Sequence, residues 1–155
     1  MAPPEQHDLT MIRDFAAPQT MVWQAWTDPA HFARWWGPSG VTSADAEIDL
    51  RPGGSWRAVM HSVSGSDFAS HGTFQVVEPE SRLVTTFTWE WDAGTEMELT
   101  VELETLADVT RMTFTHRGLG SVEDRDGHHF GWVESFDKLA RMLTPHRAAE
   151  VVGAA

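Results

Sequence analysis

Neither cysteine nor tyrosine occurs in these 155 residues. Without cysteine there are no disulfides, thiol nucleophiles or thiolate metal ligands. Nothing therefore points to an oxidising compartment, and the cytoplasm is the expected location. Positive charge is scarce, with 11 Lys and Arg against 23 Asp and Glu for a formal net charge of −12. Over the molecule as a whole that balance repels nucleic acid and anionic membrane surfaces, so neither is an expected partner. Apolar runs of membrane-spanning length are missing, and residues 1–8 lack the basic-then-apolar order of a secretion signal. No Gly-x-Ser-x-Gly elbow is present, and Arg51-Pro52-Gly53-Gly54 lacks the helix and Lys-Ser/Thr pair of a phosphate loop. No cofactor is expected.

What remains is an ordinary globular composition, 41% hydrophobic and 22% charged, with its aromatic volume supplied by eight Trp and eight Phe. The length suits one domain. We expect a flexible N-terminus over 1–8, a single domain over 9–144 and a C-terminal tail over 145–155. Leu9 to Phe15 reads as a strand that ends at Ala16-Ala17-Pro18. Met21, Val22, Ala25 and Trp26 recur at helical spacing, and Asp28-Pro29 ends that helix and starts a second with Asp28 as its cap. Gly37-Pro38 stops the second helix, leaving Trp35 and Trp36 at its end, either to wall a cavity mouth or to plug the fold.

From Val41 to about Gly118 the period becomes alternating. Strands are expected over 41–50, 55–61, 70–77, 82–91, 97–103 and 110–116. The turns between them are short, so neighbours should be antiparallel. Met97, Leu99, Val101 and Leu103 alternate with polar residues, and Met112, Phe114 and His116 share one face. A sheet with one apolar face needs a cover. After Gly127, Trp132, Phe136, Leu139 and Leu143 form the stripe of an amphipathic helix of about four turns, closed by Pro145. The fold class is therefore α+β, an antiparallel sheet of six or seven strands with two short N-terminal helices and one long C-terminal helix.

Candidate lining for a pocket between sheet and helix is Trp36, Trp56, Met60, Phe74, Phe87 and Trp89. Met97, Phe114, His116, Trp132 and Phe136 complete it. His116 shares the apolar face and is the candidate proton carrier. His61 and His71 flank one hairpin, expected within a pair or two of each other and without a facing carboxylate, so no metal site is expected. Glu123, Asp124 and Asp126 before His128 and His129 are read as helix-end carboxylates, with Asp126 as the cap.

Several segments together resemble the bacterial activator-of-Hsp90-ATPase-like proteins, within the START and Bet v 1-like superfamily. They are Ala17-Pro18, Val22-Trp23, Trp26-Thr27-Asp28-Pro29, Trp35-Trp36-Gly37-Pro38, Asp49-Leu50-Arg51-Pro52-Gly53-Gly54, Pro79-Glu80-Ser81-Arg82-Leu83, Gly131-Trp132 and Ser135-Phe136-Asp137-Lys138-Leu139. Phe136 and Lys138 stand where the family more often has Leu and Arg. The resemblance implies a helix-grip fold, its curved sheet wrapped around the last helix, and binding of a small hydrophobic or aromatic molecule. The alternatives are an acid-base enzyme, cyclase or hydrolase-like, acting on a carbonyl compound, and an interaction module, including a homodimer. An Hsp90 partner has no support here beyond the family name.

Overall fold

The computed structural model describes residues 7–143. The expected N-terminal segment lies almost wholly outside these residues, as do Pro145 and the tail. β1 (Leu9–Phe15) leads through Pro18 into α1 (Gln19–Thr27) and α2 (Pro29–Trp35). Asp28 joins the two helices in both directions. Its backbone N–H donates to Gln24 O, and its carboxylate accepts from the backbone N–H groups of Ala30 and His31. Pro29 sits where a missing N–H costs nothing.

The remaining strands are β2 (Val41–Ile48), β3 (Ser55–Ser62), β4 (Asp67–Glu78), β5 (Arg82–Trp89), β6 (Met97–Leu106) and β7 (Val109–Arg117). They form one seven-stranded sheet in the order β1-β7-β6-β5-β4-β3-β2. Every pairing is antiparallel. Between β2 and β3, Gly53 takes a φ of +84°, open to glycine at little cost. Its neighbour Gly54 donates to Arg51 O, which closes the turn. The strand expected over 82–91 stops at Trp89, where a 3₁₀ turn, Glu90–Asp92, takes over.

α3 runs from Val122 to Leu143, 22 residues, two turns longer than the apolar stripe alone indicates. Its cap is Ser121, not Asp126. Ser121 Oγ accepts from Asp124 N at 3.0 Å, and Asp124 Oδ2 accepts from Gly120 N at 3.3 Å. The early start carries Gly127 and Gly131 inside the helix. No helix among the described residues is long and apolar enough to cross a membrane.

The alternation places Trp56, Ala58 and Met60 of β3, Phe87 of β5, Met97, Leu99, Val101 and Leu103 of β6 and Met112, Phe114 and His116 of β7 on the buried side of the sheet. α3 covers that side with Trp132, Phe136, Leu139 and Leu143. The sheet and its gripped helix are the helix-grip architecture.

Candidate ligand site

α3 meets the sheet differently along its length. Toward its C-terminal end the interface is solid. Phe136 is fully buried, its ring centroid 5.1 Å from Phe114 and 6.2 Å from Trp26. Trp26 in turn lies 4.7 Å from Trp35, edge to face, and Trp35 Nε1 donates to Ala25 O at 2.8 Å. Edge-to-face and offset ring pairs are the arrangements the aromatic quadrupole favours.

Toward the N-terminal end of α3 the helix and sheet stand apart around a cavity of about 570 Å³. Its rings are Trp36, Phe68, Phe87, Trp89, Trp91 and Trp132, joined by Pro38, Val41, Met60 and Val63. Ser62, Ser64, Glu123, Asp124, His128 and Ser135 are its polar side chains. Gly127 and Gly131 also line it, and a Cβ built on either meets nothing within 4 Å. The exposed members, Val63, Phe68 and Trp91, mark the mouth, where Trp91 stacks on Trp89 at 5.9 Å.

Of the sequence candidates, Trp36, Met60, Phe87, Trp89 and Trp132 come together on this wall. Trp56, Phe74, Met97, Phe114, His116 and Phe136 do not line it. They share the buried side, but lie where other side chains cover them. Trp56 donates from Nε1 to Thr85 Oγ1 at 2.7 Å behind Trp36, and Phe74 is packed near it. Phe114 is covered by Trp132, 4.6 Å away, and by Phe136.

His116 is fully buried with both ring nitrogens engaged. Trp132 Nε1 donates to Nδ1 at 3.0 Å, and Nε2 faces Met97 Sδ at 3.2 Å. Because Nδ1 accepts, the proton of the neutral ring sits on Nε2. Burial first, then the neighbouring His128, pushes its pKa down to about 3. A proton carrier needs reach to a substrate, and the Trp132 indole stands in the way. His116 positions Trp132 instead.

The histidine on the wall is His128. Its Nδ1 donates to Asp124 O at 2.8 Å, and its Nε2 accepts from Trp89 Nε1 at 3.1 Å. The pair of bonds ties the end of β5 to the first turns of α3 across the cavity. Phe68 and Val63 escaped the sequence reading because they lie beside or in a turn, where no periodicity marks an apolar residue as inward, whereas Trp91, also missed, shares the parity of Phe87 and Trp89 at the end of the expected strand 82–91. Gly127 and Gly131 were visible as glycines four apart, a signal of a bare helix face once the helix is known to include both.

On the outer face, His61 and His71 are four rungs apart, opposite Asp67 and Arg57 respectively. Contrary to expectation, His61 has two facing carboxylates, Asp67 at Nδ1 and Asp45 at Nε2, each at 2.8 Å. Those hydrogen bonds, Asp45 first, raise its pKa. The carboxylates sit on opposite ring nitrogens, so they cannot converge on one ion. Among the described residues no cluster of three or more His, Asp or Glu side chains is arranged for a metal. His71 and Arg57 share Glu90, whose pKa falls to about 2, chiefly through its Arg57 hydrogen bond.

A curled antiparallel sheet gripping a C-terminal helix over an apolar hollow defines a Bet v 1-like, START-type domain. Within that class, the chain belongs to the family described as activator of Hsp90 ATPase homolog 1-like protein, whose model matches residues 16–144. A solved protein from Nitrosomonas europaea is 30% identical, with a TM-score of 0.78 over 91% of this chain and 96% of its own. An AHSA1 protein from Silicibacter pomeroyi is 29% identical, with a TM-score of 0.78 over 90% and 99%. A protein from Chromobacterium violaceum is 25% identical, with a TM-score of 0.78 over 88% and 96%. No curated protein matches.

Proposed function

We propose that this chain binds a small hydrophobic or aromatic molecule in the cavity between the sheet and the N-terminal half of α3. The observation that carries the reading is the pair of bare positions, Gly127 and Gly131, over a wall of rings. Glycine inside a helix costs about 1 kcal/mol relative to alanine. An apolar hollow further forfeits the packing that close contact would supply. A ligand that fills the space recovers that packing, and about 570 Å³ falls within the usual range of small-molecule sites.

Isothermal calorimetry and thermal melting against a panel of fused-ring and aliphatic compounds test this. Saturation with a true ligand at about 100 times its Kd raises stability by about 2.7 kcal/mol and the melting temperature by several degrees. Gly131→Leu places a branched side chain in the hollow and should abolish the response while the protein stays folded. If no compound gives heat or a melting shift with the unaltered chain, the reading fails.

A further inference from the structure

We propose that the molecule held in this cavity is a protonated amine with an apolar body, its ammonium group lodged at the mouth beside Glu123 and Asp124. The inference rests on the cavity being a ligand site and adds the charge of the ligand. Three observations carry it.

The first is the charge of the lining. Glu123 and Asp124 are its carboxylates, and neither Lys nor Arg belongs to it. Lys138 is turned aside. It donates to Pro38 O at 3.3 Å and lines a separate groove with Arg34. Glu123 is exposed and has no hydrogen bond or ion pair to another described residue, so its carboxylate is free for a cation.

The second is the state of the donors. Trp89 Nε1 is spent on His128, Trp132 Nε1 on His116, and His128 Nδ1 on Asp124 O. Ser135 Oγ donates to Gly131 O, while Ser62 and Ser64 bond each other and Ser66 O. Trp36 Nε1 is buried and has no hydrogen-bond partner. Among the described lining side chains, the uncommitted N–H groups are those of two indoles, Trp91 at the rim and the buried Trp36. A ligand carboxylate or phosphate therefore finds two indole N–H groups and no cationic Lys or Arg donor in the lining. A helix N-terminus ordinarily attracts anions, but here Ser121 Oγ already takes the Asp124 N–H of the first turn, and the Asp124 carboxylate takes the Gly120 N–H just before the helix.

The third is the walls. With their N–H groups committed elsewhere, Trp89 and Trp132 offer π faces, and indole is the strongest cation–π partner among the side chains. Trp91, stacked on Trp89 and exposed, extends that surface to the mouth.

Three probes of one shape separate the possibilities: naphthylethylamine, naphthylethanol and naphthylacetate, titrated by calorimetry at neutral pH. The expected order is amine first, by about tenfold over the alcohol, then alcohol, then carboxylate. Glu123→Gln should cut the amine-to-alcohol affinity ratio by at least about threefold. Raised salt should erode the same ratio. An alcohol that binds as well as the amine, a carboxylate that binds best, or a ratio unmoved by Glu123→Gln overturns the amine assignment and leaves the cavity reading standing. Silence from all three probes overturns the assignment. The cavity reading itself falls only if the broader apolar panel is silent as well.

Discussion

The two halves of α3 use the same kind of residue for opposite ends. In the C-terminal half, Phe136, Leu139 and Leu143 are buried, and Phe136 meets Phe114 of the sheet and Trp26 of α1. In the N-terminal half, Gly127 and Gly131 withhold side chains, and Trp132 marks the border between solid and hollow. Aromatic content alone does not tell a core from a cavity. What tells them apart is whether the facing helix supplies a partner for each ring.

The comparison breaks most visibly at Phe136. Phe136→Ala removes a fully buried ring from the solid half and should cost about 3–5 kcal/mol, read as a shift in the urea midpoint. The equivalent loss at the mouth, Phe68→Ala, should cost far less, because that ring is already 40% exposed. Equal losses would mean that the hollow is closed in solution.

A middle-sized effect is expected at the border. His116→Leu leaves the Trp132 indole N–H without its acceptor and should cost about 1–3 kcal/mol. His116→Gln, which can still accept, should recover part of that stability. Ligand affinity should follow the same order, since Trp132 is the ring that His116 holds.

The smallest effect sharpens the contrast by running in the other direction. Gly131→Ala should stabilise the protein by about 1 kcal/mol, because the helix gains propensity and the new methyl group meets open space. The largest ligands of a panel should lose affinity first. A destabilised Gly131→Ala protein would show that the space above α3 is filled.

The two halves were not equally legible in the sequence. Strand parity is local, and it put Trp56, Met60, Phe87, Phe114 and His116 on the buried side correctly. Which of them touch the cavity depends on where α3 stands off the sheet, a relation between segments far apart in the chain. Trp35 and Trp36 make the point as neighbours. One donates its N–H to Ala25 O in the solid core, and the other faces the hollow. The carboxylates around His61 were illegible for a similar reason, since Asp45 and Asp67 arrive from the strands on either side. Short motifs across residues 17–139 carried the fold and family because each fixes a turn or joint by itself.

His61 and His116 give the fold opposite appetites for protons. His61, with its pKa raised in the folded chain, binds a proton more tightly there than when unfolded. Its contribution is therefore complete below the ordinary imidazole value of 6.5 and is lost as pH rises through the raised value. His116 behaves in the reverse sense. With its pKa lowered to about 3, it favours the fold above 6.5 and withdraws that support as pH falls from 6.5 toward 3. One histidine clasps the outer face of the strands that wall the cavity, and the other props the indole at its border. Together they place the best-held form of the cavity near pH 6.5, with proton uptake loosening its border and proton release loosening its outer wall.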